Sequence, residues 1–400
     1  MNTFKKADIL IPKDIDHKKW SVVACDQYTS QPEYWEEVKK VIGDAPSSLN
    51  IVFPEAFLSE GDGRIAKINE TMEKYLADGI FEECLDSMIY VERTMANGKV
   101  RKGIIGAIDL EDYDFSVGSK SKIRATEGTV LERIPPRVKI RENASLELPH
   151  VMLLIDDKGK TVIEQIEKGE MVYDFDLMQN SGHLSGWLLS DFEAERVLAA
   201  LSELDENADG NLLFAVGDGN HSLATAKTCW ENLKATLTEE QKENHPARFC
   251  LVEVENIHDE ALEFEPIHRV VFGVNPEDLL AEFKAYYPET ADADNGGQHI
   301  IYTYKGIKGD LFVKNSPSAL CVGTLQKFLD DKGYEVDYIH GEDVTEKLSD
   351  ADNTIGFLLP GMEKSDLFRG VIADGALPRK TFSMGEAHDK RFYFEAKKIK

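Results

Sequence analysis

Leu212-Leu-Phe-Ala-Val-Gly-Asp-Gly-Asn-His-Ser-Leu-Ala-Thr-Ala-Lys227 passes from five apolar residues, through two glycines, into a segment with apolar residues at helical spacing. The first part reads as a buried strand. The last reads as a helix with Leu223, Ala226, Trp230 and Leu233 on one side. Glycines at 217 and 219 let the backbone turn tightly and approach a ligand without interference from a Cβ. The helix then points its first N–H groups and its positive dipole end into the turn, a suitable cradle for phosphate or carboxylate. Asn220, His221 and Ser222 add side-chain donors, while Asp218 suits a metal ion or a proton. The same residues also fit a plain tight connection with Asn220 or Ser222 as the helix cap, and the pattern leaves both readings open. A dinucleotide fingerprint would need a third glycine where Ser222 stands, so NAD is not expected.

Working outward, elements of both kinds alternate. Asn97-Gly98 between Met88–Met95 and Lys99–Leu110 predicts a hairpin, because Asn-Gly supplies the positive φ of a tight turn. Ser30 with Glu33, and Ser190 with Glu193, are capping-box openings of two helices. A polar helix is expected near Arg124–Ile134, stopped by Pro135-Pro136, and a buried strand at Val151–Ile155. After Pro246 the alternation restarts, with strands at Phe249–Val254 and Val270–Val274 and a helix opened by Asn275-Pro276. The expected class is mixed α/β (α+β), with an N-terminal lobe over 1–245 and a C-terminal α/β lobe over 246–400.

Composition excludes several roles. The 400 residues carry 46 Lys+Arg against 73 Asp+Glu, a formal net charge of −27. Such a field repels polyphosphate backbones and anionic membranes, so neither nucleic acid nor a membrane is an expected partner. No apolar run approaches the ~18 residues of a spanning helix. The five cysteines form no CxxC pair and read as reduced thiols of a cytoplasmic protein. Phosphate-binding P-loop, zinc, EF-hand, nucleophile-elbow and protein-kinase signatures are absent.

Within this acidic chain, Lys120, Lys122, Arg124, Arg133, Arg137, Lys139 and Arg141 form a local basic concentration suited to an anionic substrate. Arg124 and Glu127 share a face if their segment is helical. Asp109, Glu111, Asp112 and Asp114 offer carboxylates to Mg2+, or are a solvated loop. His268 and Arg269 reach the same cleft, or are core groups. Cys25 beside Asp26 is a nucleophile in a hydrolase reading, or a small buried apolar group. The residues do not identify a metal site.

Several further stretches, taken in order, carry a resemblance. They are Val23-Ala-Cys-Asp-Gln-Tyr28, Gly103-Ile-Ile-Gly-Ala-Ile-Asp-Leu-Glu-Asp-Tyr113, Arg124-Ala-Thr-Glu127, Val216-Gly-Asp-Gly-Asn-His221, Pro266-Ile-His-Arg269 and Leu377-Pro-Arg-Lys-Thr381. Together they resemble, over nearly the whole chain, the family numbered 1015 among domains of unknown function. That family is similar to the ParB/sulfiredoxin-like superfamily, which includes nucleotide-dependent partition proteins and ADP-dependent free-serine kinases. The resemblance implies a ParB-like core with an additional C-terminal lobe, and phosphates held at Gly217, Asp218, Gly219, Asn220, His221 and Ser222. Relatives place Asp-Gly-His-His-Arg at such a turn. Here Asp218, Gly219 and His221 match, Asn220 departs, and Ser222 replaces the arginine, the stronger phosphate clamp. Lys227 compensates in part.

The implied activity is a nucleotide-dependent small-molecule phosphotransferase using ADP or ATP with Mg2+, like a free-serine kinase. Glu127 is the implied general base and His221 its partner in catalysis, with Arg124, Arg133, His268 and Arg269 binding the anionic substrate. The alternative is a non-catalytic regulator that binds a nucleotide or metabolite. Neither the oligomeric state nor the substrate is fixed by the sequence.

Overall fold

The computed structural model describes residues 3–29 and 31–400. They form two compact units. The first comprises residues up to Ala125, then Thr129–Leu262 and Gly385–Lys400. The second comprises Thr126–Gly128 and Glu263–Met384. Both are mixed α/β. The break expected near Pro246 falls inside the first unit. Phe249–Asn256 is buried at every position and lies between Val100–Asp109 and Met152–Ile155, so it cannot leave that unit's sheet.

The sheet of the first unit runs, across its width, through Glu170–Asp176, His183–Leu188, Ile89–Thr94, Val100–Asp109, Phe249–Asn256, Met152–Ile155, Phe214–Asp218, Ile123–Ala125 and Tyr113–Asp114. Phe4–Lys5 adds to Val100–Asp109. The Asn97-Gly98 hairpin forms as its sequence predicts, with Gly98 at φ +82° and Ile89 opposite Ile105. Successive side chains of a strand face opposite ways, and here both faces are covered. Tyr90, Ile104, Leu153 and Val252 pack under Val197, Leu201, Leu223 and Trp230 of the helices Asp191–Glu206 and Asn220–Lys234. Ile89, Val91, Ile105 and Leu251 pack with Trp20, Trp35, Phe392 and Phe394.

Ser190 caps its helix as expected, accepting the Glu193 N–H at 3.2 Å. The helix Pro32–Ile42 forms too, but its expected cap, Ser30, lies outside the described residues. The helix expected near Arg124–Ile134 is absent from the described residues. Ile123–Ala125 is a strand parallel to Phe214–Asp218, and the helix begins at Ile134. Pro135 and Pro136 open that helix, because first-turn residues have no intrahelical N–H bond to lose.

In the second unit, an antiparallel sheet runs through Thr290–Ala291, Ile307–Val313, Gln298–Tyr304, Thr354–Leu358, Phe264–Phe272 and Val336–His340. Phe382–Met384 extends the Phe264 end. Helices Pro276–Tyr286 and Cys321–Lys332 bury Leu279, Phe283, Leu325 and Phe328 with Val271, Ile300 and Phe357. Asn275 caps the first of these helices through its side chain.

The chain returns to the first unit at Gly385. Arg93 and Arg101, opposite each other on neighbouring strands, donate to the carbonyls of His388 and Asp389 at 3.0 and 3.1 Å. Arg391, almost fully buried, pairs with Glu253 and Glu395 at 2.7 Å each and donates to the Pro149 carbonyl at 2.7 Å. Arg391→Ala would leave two buried carboxylates uncompensated, at an expected cost of about 3–5 kcal/mol. Urea unfolding of the full chain measures this as a fall in midpoint. An unchanged midpoint would remove Arg391 from its structural role.

Candidate functional site

The strand Phe214–Asp218 is pinned between Met152–Ile155 and Ile123–Ala125, and the chain then reverses at Gly219 into the helix Asn220–Lys234. Gly219 sits at φ +81°, where a Cβ would lie 3.0 Å from Val151 Cα. A side chain is therefore strained there both by conformation and by space. The Gly219 N–H donates to the Asp218 carboxylate at 2.8 Å, and Lys390 Nζ lies 3.3 Å from the other carboxylate oxygen. The acid of the turn is thus charge-compensated by the returning C-terminal segment.

His221 and Ser222 occupy the first helical turn, and each is held from outside it. His221 Nε2 accepts the Val130 N–H at 3.3 Å. Its ring proton therefore lies on Nδ1. Burial, then the guanidinium charges of Arg137 and Arg133, push the His221 pKa down to about 4. At neutral pH it is an uncharged donor. Ser222 Oγ lies 2.8 Å from His150 Nε2, and His150 Nδ1 lies 2.8 Å from the Tyr393 hydroxyl. That hydroxyl in turn accepts the Cys25 N–H at 3.1 Å. Burial pushes the Cys25 thiol up to about 12, so it stays protonated and is no nucleophile. Burial alone would raise the neighbouring Asp26 carboxyl, but His150, the Gln27 amide and Lys390 outweigh it and hold the group below the usual carboxylate range.

The first unit therefore gathers Asp218, Gly219, His221 and Ser222 with Asp26, His150, Lys390 and Tyr393. Gly217 belongs to the strand and Asn220 opens the helix. Arg133 is exposed just before the helix Ile134–Arg141, and Arg137 on that helix ion-pairs with Glu55. Arg124 has a different place. It is buried in its short strand, with Nε donating to the Ser121 carbonyl at 2.8 Å and Nη2 to the Gly210 carbonyl. A guanidinium fixed on carbonyls braces loops and is not presented to an anion. Lys227 donates to the Leu110 carbonyl and pairs with Glu231, one turn along its helix.

The remaining expected residues have other partners. Glu127 belongs to the second unit and forms a parallel bridge with Leu377. His268 and Arg269 are buried in that unit's sheet. His268 Nδ1 accepts the Leu359 N–H at 3.1 Å. Arg269 donates to Gln326 and to the carbonyls of Ile267 and Arg379, and stacks over Tyr338. Of the acids considered for Mg2+, Asp109 pairs with Arg248, Glu111 holds Trp230 Nε1 and Lys234, Asp112 accepts from Thr3, and Asp114 caps the Ser116 N–H. Among the described residues no group of three His, Cys, Asp or Glu side chains is placed to hold a metal.

His150, Lys390 and Tyr393 are additions that sequence reasoning missed. Leu148-Pro149-His150 ahead of a buried strand is a weak signal, and the terminal basic-aromatic run carries none that connects it to position 222.

These features define a mixed α/β protein whose distinctive chemistry is a strand–glycine–helix turn lined with donors. The chain belongs to the family described as Protein of unknown function (DUF1015), which it matches over residues 10–332. Comparison with curated proteins gives no match. Among solved structures it is similar to a free serine kinase in complex with AMP, at 10% identity and a TM-score of 0.40, covering 75% of this chain and 93% of that one. It is also similar to SbnI with a C-terminal truncation from Staphylococcus aureus, at 10% identity and a TM-score of 0.38, covering 70% and 82%. A conserved hypothetical protein from Pyrococcus furiosus aligns at 10% identity and a TM-score of 0.34, covering 74% and 92%.

Gly219→Ala is expected to destabilise the chain by about 1–3 kcal/mol, read as a lower denaturant midpoint, because a side chain must adopt the left-handed region against Val151. His221 provides a pH test. Its folded pKa, about 4, lies below the ordinary 6.5, so the unfolded chain binds the extra proton between these values. The contribution is complete above pH 6.5 and is lost as pH falls toward 4. His221→Asn should therefore flatten the stability–pH profile across that window. A profile parallel to wild type would contradict the assignment.

Proposed function

We propose that the chain is a nucleotide-dependent small-molecule phosphotransferase that seats phosphate oxygens at Gly217–Ser222. The observation that carries this reading is the donor character of the helix start that follows Asp218. His221 is held neutral with its proton on Nδ1, the helix start contributes backbone N–H groups, and Arg133 stands nearby. Such a constellation fits a group that only accepts hydrogen bonds. Phosphoryl transfer asks mainly for positioning and charge neutralisation, which suits a site without a strong nucleophile. Mg2+ would arrive on the nucleotide and needs only one or two protein carboxylates. Asp218 and Asp26 are the acids beside the turn. The sequence resemblance makes L-serine the first alcohol to test. The −27 charge favours a small cytoplasmic substrate over nucleic acid.

Ser222 in place of arginine, and Arg124 committed to carbonyls, favour a second reading as a nucleotide- or metabolite-binding regulator without turnover.

Thermal unfolding with ADP, ATP and L-serine, with and without Mg2+, separates the two. Catalysis predicts ligand-dependent stabilisation of wild type, loss of that stabilisation in His221→Ala, and formation of phosphoserine or another phosphoester. Stabilisation without any phosphorylated product selects the regulator. No stabilisation by ADP or ATP rejects the phosphotransferase and the nucleotide-binding form of the regulator.

A further inference from the structure

The contacts of Ser222 determine the direction of its hydroxyl. Its Oγ lies 2.8 Å from His150 Nε2, and His150 is its hydrogen-bond partner among the described residues. Whether Nε2 gives or takes a proton depends on the far end of the relay. There the Tyr393 hydroxyl contacts His150 Nδ1 at 2.8 Å and already accepts the Cys25 N–H.

Three arrangements are available. If Tyr393 donates its proton to Nδ1, the ring carries its own proton on Nε2, and Nε2–H donates to Ser222 Oγ. If the ring is an imidazolium, both nitrogens donate and Nε2–H again points at Ser222. Asp26 acts on both His150 and Tyr393 through its charge, without a hydrogen bond to either, and does not alter this result. The third arrangement places the proton on Nδ1, and Tyr393 must then find another acceptor. Near its hydroxyl that acceptor is the Cys25 sulfur, kept as a thiol by burial and therefore a weak one. The strong acceptor wins, and Nε2 bears a hydrogen.

We infer that His150 and Tyr393 are positioning residues that fix Ser222 as a hydrogen-bond donor to a bound oxyanion, and that Ser222 is not a nucleophile. With its oxygen occupied by Nε2–H, the Ser222 hydroxyl directs its own hydrogen outward, parallel in role to Nδ1–H of His221. His221 and Ser222 then both present hydrogens. A ligand that must itself donate, such as an amide or an unionised alcohol, is disfavoured there. Phosphate or another acceptor-only oxyanion is selected. The relay thereby supplies part of what the absent arginine would supply. The inference rests on the phosphate reading of the turn and adds the residues that impose its polarity.

Isothermal titration of the full chain with inorganic phosphate and with ADP tests it. Ser222→Ala should lower affinity about tenfold, the loss of one bond to a charged group. Tyr393→Phe and His150→Gln should lower it in the same direction by about three- to tenfold. Ser222→Thr, which keeps the hydroxyl, should bind like wild type. The double variant Ser222→Ala/Tyr393→Phe should bind no more weakly than Ser222→Ala alone, because the tyrosine acts through the serine. Wild-type affinity in both Tyr393→Phe and His150→Gln, beside a loss in Ser222→Ala, overturns the relay and leaves the phosphate reading standing. If either relay variant fails to fold, the serine pair decides: Ser222→Thr binding as weakly as Ser222→Ala overturns the inference. Stoichiometric attachment of a fluorophosphonate to Ser222, with fluoride expelled and the hydroxyl proton taken by His150, overturns it as well. Wild type that binds neither probe overturns the phosphate reading and the relay together.

Discussion

Arg391 carries a full charge in a buried position, and the geometry around it follows from that necessity. A charge in such a place must be surrounded by partners. Glu253 comes from the middle of the sheet, Glu395 from four residues further along, and the Pro149 carbonyl from the approach to a neighbouring strand. Satisfying one guanidinium therefore locks three parts of the chain together. Residues 150 and 393 flank that junction, and they meet at 2.8 Å. Arg93 and Arg101 repeat the device a few residues earlier by holding the carbonyls of 388 and 389, which sets Lys390 beside Asp218. The turn is thus supported by buried arginines bonded to carbonyls and carboxylates of the chain.

The electrostatics of the site are local and directional. Most of the basic concentration between 120 and 141 is neutralised where it stands: Lys122 by Asp205, Arg137 by Glu55, Lys139 by Asp62 and Arg141 by Glu147. What remains at the turn is the N–H groups of the helix start beside the Asp218–Lys390 pair, with Arg133 exposed nearby. Oriented dipoles retain their effect at physiological ionic strength better than exposed charges, which salt screens.

Local signals were readable wherever short-range chemistry sets the outcome. The Asn97-Gly98 turn, the Ser190 cap, the Asn275-Pro276 helix start and the Gly217–Ser222 turn each follow from neighbours within a few positions. Arg124 misled because a polar stretch at helical spacing was taken up as a strand by pairing with Phe214–Asp218, some ninety residues away. Pro135-Pro136 misled because the same dipeptide can open a helix or close one. His268 and Arg269 sit in a sheet whose alternation gives no hint that their polar ends are satisfied by Leu359, Gln326 and Arg379. The His150–Tyr393 contact spans 243 positions, and no local pattern encodes it.

That long span bears on how the protein is made. The turn at 217–222 can form as soon as its strand and helix have neighbours, but the Ser222–His150–Tyr393 chain of contacts is complete only when residue 393 docks. A growing chain passes through the whole second unit before that residue is synthesised. Long-range closures of this kind come late and slowly in folding. A partly synthesised chain therefore carries the 217–222 turn without the His150–Tyr393 contact behind it.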